Sequence, residues 1–184
     1  MEKNMIDELI DKILNGKTLD YLKTKAFEVS KTHDYATALA WTVANKNNNN
    51  DLGKVGEHLA NQTFGWKRVR GETDSKLGEM SIEIKTSAPP QGKYRIGQIK
   101  TNYDLQQSLF CQFFHLQSKD LQFYWIDTIE EFLEEFDQWI GNDQGKDGTN
   151  VGIRAMPHNG PCWKHLQKWR IEYDKIPRRL EKAS

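Results

Sequence analysis

Between Glu79 and Ser87 apolar and polar residues alternate. Met80, Ile82 and Ile84 fall on one side, and Glu79, Ser81, Glu83 and Lys85 on the other. Successive side chains of an extended backbone point to opposite faces, so this period of two predicts a half-buried β-strand. Glu83 and Lys85 then share one face. Asp74 lies nine residues before Glu83, and the polar stretch leading to Gly78 reads as a turn. A strand pair bent there returns Asp74 to the side of Glu83, so two carboxylates and a lysine converge.

That convergence has a chemical use. Two carboxylates are hard oxygen ligands suited to Mg²⁺ rather than zinc. A magnesium ion polarises a phosphodiester and lowers the pKa of a bound water. A lysine beside it orients the attacking water and offsets charge growing on the phosphate. A Glu-x-Lys triplet on its own is an ordinary solvated ion pair of little worth. Asp74, the alternation and the basic segment that follows favour the catalytic reading, with Asp74 and Glu83 holding the metal and Lys85 assisting the water. Glu57, off the Val55/Leu59 stripe of a helix, either is solvated or approaches the same centre from the side.

The chain has 184 residues, a length that suits one domain spanning 1–184 with its own core. A hydrophobic content of 37% excludes a disordered chain. No apolar run approaches a membrane span and no signal peptide is apparent, so a cytoplasmic location is expected. The two cysteines, Cys111 and Cys162, form neither a disulfide framework nor a CxxC pair. His158, Cys162 and His165 lack a recognised zinc spacing and a fourth ligand. Net charge is zero, but it is segregated. Residues 84–103 carry four basic and no acidic side chains, whereas 127–147 carry eight acidic ones and one lysine. A basic cleft on a neutral molecule is therefore allowed.

Helical spacing of apolar residues predicts a helix from residue 4 to a break at Gly16, then a second through Leu19, Leu22, Ala26 and Val29. Their apolar faces need either the domain's own sheet or a second subunit. A third helix is expected over Tyr35–Val43, and a fourth, capped by Asp51, reaching Thr63. Trp66–Arg70 and 79–87 read as strands, the latter stopped by Pro89-Pro90. The segment 91–103 interleaves Lys93, Tyr94, Arg95, Gln98 and Lys100, a mix suited to phosphates and base edges and equally to a polar surface loop. Asp104–Leu116 reads as a buried helix containing Cys111, Leu121–Ile126 as a central strand, and Thr128 with Glu131 as a capping box opening a helix through Ile140. A Gly- and Asp-rich turn over Gly141–Thr149 precedes a strand over Asn150–Met156. There Val151, Ile153 and Ala155 face one way, and Asn150, Gly152 and Arg154 the other. Asn150 and Arg154 fit groove readers or plain surface residues. The sum is an α/β (α+β) domain with a central mixed sheet flanked by helices.

The arrangement Asp74…Glu83-Ile84-Lys85 resembles the PD-(D/E)XK nuclease superfamily, with Thr73 where that motif has proline. Within it, the chain is most similar to small Type II restriction endonucleases of the PvuII kind, over about half its length. The resemblance implies a restriction-endonuclease-like fold and Mg²⁺-dependent cleavage of double-stranded DNA at a specific sequence. It also implies Asn150 as a base contact, a homodimer whose interface is formed by the N-terminal helices (about 1–45), and a companion DNA methyltransferase. Two other readings stay open: a structure-directed repair or nicking nuclease, and a non-catalytic DNA-binding or protein-interaction module.

Overall fold

A strand that is apolar on both faces must be covered on both, and this chain has one. In the computed structural model, Ser108–His115 is a strand with every residue up to Phe114 buried. The helix expected over Asp104–Leu116 is therefore corrected to a strand. Its near-continuous apolar run has no clear period, and such a run suits a doubly covered strand as well as a buried helix.

The structure describes residues 17–69, 71, 73–90, 92–143 and 149–179. The first expected helix, the Gly16 break, Arg70, Gln91 and much of the 141–149 turn lie outside them. In chain order the helices and strands are α1 (Leu19–Thr32), α2 (Tyr35–Asn45), α3 (Asn49–Phe64), β1 (Lys67–Arg68), β2 (Ser75–Leu77), β3 (Met80–Ser87), β4 (Lys93–Lys100), β5 (Ser108–His115), β6 (Asp120–Ile126), α4 (Ile129–Glu135), β7 (Gly141–Asn142), β8 (Asn150–Pro157), α5 (Pro161–Leu166) and β9 (Arg170–Ile171). The expected α+β class with a helix-flanked mixed sheet is observed. Among the described residues no helix is long and apolar enough to cross a membrane.

The central sheet has six strands in the order β1-β2-β3-β5-β6-β9. Among the described strands only β3 and β5 run parallel, in register from Ile82↔Ser108 to Ser87↔Phe113. A second, antiparallel sheet has the order β4-β8-β7. Alternation in β3 and β5 sends side chains into two different cores. Ile82, Ile84 and Phe110 join Leu22, Leu39, Val55 and Leu59 of α1–α3. Leu109, Cys111 and Phe113 join Tyr94, Ile96 and Ile153 of the second sheet, with Phe132 of α4 and Trp163 of α5. The apolar faces of α1 and α2 thus have a partner in the chain's own sheet. Glu83 and Lys85, of opposite parity to Ile82 and Ile84, project toward the second sheet.

Local expectations hold with shifted edges. Asn48, not Asp51, caps α3, accepting the Asp51 amide on its side chain. Thr128 caps α4 by accepting the Glu131 amide, and α4 gives way to a 3₁₀ turn at Asp137–Trp139. The segment around 93–100 is not a loop but a strand of the second sheet. The expected alternation of β8 fails after Ile153, because pairing with β4 slips there: Gly152 and Ile153 are both buried, and Arg154 and Ala155 both exposed.

Helix α3 lies unusually close to β3. A Cβ on Gly56 would stand 2.1 Å from Thr86 Oγ1 and 2.7 Å from Gln112 Nε2. These two side chains form a buried relay in which Tyr35 donates to Gln112 Oε1 at 2.5 Å and Gln112 Nε2 donates to Thr86 Oγ1 at 2.8 Å. Gly56→Ala gains roughly 1 kcal/mol of helix propensity. It overpacks a site bounded by strand-borne side chains, at a cost of about 1–3 kcal/mol. The second effect wins, so urea denaturation is expected to show a net loss of stability; a more stable Gly56→Ala protein would contradict this packing.

Candidate active site

The site is built where β2 and β3 part. Their pairing ends at Ser75↔Ile82, which leaves the next amides on that edge of β3 without a strand partner. Asp74 supplies one: the Ile84 amide donates to its Oδ2 at 2.9 Å. Asp74 is held from both sides. The hydroxyl of Thr73 donates to the Ile82 carbonyl at 3.0 Å, and Ser75 donates to Asn61 of α3 at 2.5 Å. Thr73 therefore fastens this turn to β3 through a hydroxyl that proline lacks.

On the same strand, the Lys85 ammonium contacts Glu83 Oε1 at 2.5 Å and donates to the Gln98 carbonyl of β4 at 3.4 Å. Both side chains are largely sheltered, 17% and 12% exposed. Burial alone would pull Lys85 down; Glu83 and Asp74 outweigh it and raise its pKa, so it stays an ammonium. Glu83 moves up as well, because burial and the Asp74 charge exceed the pull of Lys85. Glu57, two turns into α3, is pushed up by burial and then by Asp74, with Arg68 opposing. Its partner, Arg68 Nε at 3.0 Å, is 61% exposed and compensates little. Asp74, Glu83, Lys85 and Glu57 thus share one electrostatic neighbourhood.

Asp74, Lys85 and Glu57 line a cleft of about 800 Å³, whereas Glu83 does not. One wall is the start of α3, with Asn49, Asn50, Lys54 and Glu57; Asp74 and Lys85 lie between; the opposite wall carries Lys93, Arg95, Gln98 and Arg154. Among the described lining residues five are basic and two acidic. Lys93, Arg95, Gln98 and Arg154 therefore share the cleft with Asp74, Lys85 and Glu57. Lys100 and Asn150, paired across β4 and β8, do not line it; Lys100 lies 4.6 Å from the Tyr103 ring instead. Tyr94 is corrected from a nucleic-acid contact to a core residue. It is 1% exposed and stacks on Trp163 at 4.6 Å and Phe113 at 5.0 Å.

One site residue had no readable signal. Asp143 fell in the Gly- and Asp-rich turn, yet it is 2% exposed and grips Arg95 at 2.5 Å. It also accepts the Gln98 amide at 2.8 Å, holding Gln98 at φ 58°. A non-glycine residue in that left-handed region carries strain on the order of 1 kcal/mol. Lys54 was legible in principle, since it lies three residues before Glu57 and so on the same helix face.

Among the described residues no group of three His, Cys, Asp or Glu side chains stands arranged to hold a metal ion. Magnesium, however, is ordinarily bound by one or two carboxylates plus water and phosphate oxygens. Asp74 and Glu83 have the chemistry for that role, and the crowding of Asp74 with two acids of raised pKa is the condition a divalent cation relieves. No family model matches the chain, and no curated protein or solved structure matches it.

The direction of the Glu57 shift fixes a pH dependence. The folded state holds this proton more tightly than the unfolded chain, so its ionisation opposes folding as pH rises above the ordinary value of 4.5. Glu57→Gln is expected to melt at or above the parent's temperature at pH 7, with the difference closing as pH falls below that value. A clearly lower melting temperature at pH 7 would show that the Arg68 pair dominates instead.

Proposed function

We propose that the protein is a Mg²⁺-dependent endonuclease that hydrolyses phosphodiester bonds of double-stranded DNA at a specific sequence, in the manner of PD-(D/E)XK enzymes. The observation that carries this reading is the Asp74 carboxylate, docked on the Ile84 amide beside the sheltered Glu83–Lys85 pair, with Asp74 and Lys85 lining a cleft whose charged side chains are mostly basic. A lone Glu-x-Lys on a solvated strand face would need neither the docking nor the shelter.

In this reading the chain's own groups divide the work. Lys93, Arg95 and Arg154 meet backbone phosphates and base edges from one wall, and Lys54 from the other. Asp74 and Glu83 would hold the magnesium ion, which supplies Lewis acidity at the phosphate and an acidified water. Lys85, kept charged by Glu83 and Asp74, orients the attacking oxygen and counters charge on the phosphate as the new P–O bond forms and the sugar oxygen departs. Glu57 tunes the local charge from the side. The reading extends to two copies of the chain acting on the two strands of a near-palindromic site.

Asp74→Ala, Glu83→Ala and Lys85→Ala are each expected to reduce cleavage of unmodified phage DNA in Mg²⁺ by at least ~10²–10³-fold. Circular dichroism would report whether each variant keeps its fold. Discrete bands from the parent support site-specific restriction; preference for branched substrates would move the assignment to a repair nuclease. A Lys85→Ala protein that cuts like the parent would remove the catalytic assignment.

A further inference from the structure

Strand β4 departs from regular pairing where it passes the active centre. Its partners on β8 step from Ile153 to Val151 while β4 runs from Ile96 to Ile99, so the segment at Gly97-Gln98 bulges. Three features hold this bulge. The Gln98 amide donates to Asp143 Oδ2 at 2.8 Å, Arg95 donates to Asp143 Oδ1 at 2.5 Å, and the Gln98 carbonyl accepts from Lys85. Asp143 is in turn anchored through its own amide, which donates to the Asn150 carbonyl at 2.8 Å.

The left-handed conformation falls on Gln98 and not on the adjacent glycine. Gly97 has a different duty: a Cβ there would stand 2.5 Å from Asp143 Oδ2 and 2.6 Å from Arg95 Nε. Gly152 likewise leaves room, since its Cβ would stand 2.4 Å from the Ile96 carbonyl and 3.3 Å from Asp143 Oδ2. Two glycines and a strained glutamine thus make space for one buried carboxylate. Both of its oxygens serve residues that face the cleft. A bulge needed only to bend a strand requires no buried charge.

We propose that Asp143 is a positioning residue that couples DNA readout by Arg95 and Gln98 to the Lys85 ammonium through the backbone of Gln98; this rests on the nuclease reading above. The amide of Gln98, in the peptide it shares with Gly97, is fixed by Asp143. Its carbonyl, in the following peptide toward Ile99, is a partner of Lys85. The Gln98 side chain and the Arg95 guanidinium lie on the cleft wall. A base pair that engages them sets the backbone conformation at Gln98, and with it the position of the lysine.

The test compares the parent with Asp143→Ala, Asp143→Asn and Arg95→Ala on a DNA fragment carrying a mapped cleavage site, with Mg²⁺. Asp143→Ala is expected to lower kcat by about a hundredfold while KM stays within about twofold, because a catalytic group displaced by ~1 Å loses that much rate without losing phosphate contacts. Asp143→Asn, which keeps a neutral acceptor for the Gln98 amide, is expected to recover part of the loss. Arg95→Ala should instead raise KM. In parallel, hydrogen exchange at the Gln98 amide should be at least about tenfold faster in Asp143→Ala, since its acceptor is gone. Should Asp143→Ala be unfolded by circular dichroism, the same comparison is read from Asp143→Asn. An active parent with kcat preserved in the Asp143 variants, a rise in KM matching Arg95→Ala, or unchanged Gln98 exchange overturns the coupling alone. A parent that cuts no DNA overturns the nuclease reading and the coupling with it.

Discussion

An unpaired amide on the edge of a sheet needs an acceptor, and in this protein the Ile84 amide finds it in a carboxylate. Where β2 stops, Asp74 takes the place that a neighbouring strand would have held. That hydrogen bond does two things at once. It satisfies backbone that would otherwise be stranded near the core. It also sets a second acid close to Glu83, on the strand that carries Lys85. Thr73 and Ser75 tie the same turn to β3 and to α3, so the acid rests on two rigid elements rather than on a mobile loop.

The Glu83–Lys85 pair makes little sense as a device for stability. Sheltering two charges costs several kcal/mol per ion, and the attraction between them returns about as much at best. Removing one partner, by contrast, leaves a stranded charge at a cost of roughly 3–5 kcal/mol. A pair that is neutral when whole and costly when broken suits a site where charge is kept for chemistry. The same holds for Asp143, which is almost fully buried and held below the usual carboxylate range: burial pushes its pKa up, and the Arg95 and Gln98 hydrogen bonds more than reverse this. The Glu83–Lys85 pair and the buried Asp143, paired to an exposed Arg95, therefore both meet the Gln98 backbone, Lys85 at its carbonyl and Asp143 at its amide.

The two sheets have different burdens. The central one is covered on both faces and supplies the rigid frame, with the Tyr35–Gln112–Thr86 relay and the cleared space at Gly56 seating α3 against it. Through that seating Glu57 and Lys54 reach the cleft. The smaller sheet bulges and slips, and its exposed side chains form the opposite wall.

What the amino-acid order determined by itself was whatever repeats over a few residues. The period of two placed Glu83 and Lys85 on one face of β3, the turn chemistry before Gly78 brought Asp74 back to it, and Thr128 opened α4, because alternation and capping act between near neighbours. The tertiary structure decided the rest. Ser108–His115 became a strand because β3 and β6 flank it and layers cover both its faces, which no window of sequence reveals. Tyr94 turned inward because pairing of β4 with β8 set its parity against Trp163. Asp143 joined the site from forty-five residues away because that same pairing slips at Gln98. Contacts between distant segments depend on register and layering, and those are properties of the whole packed chain.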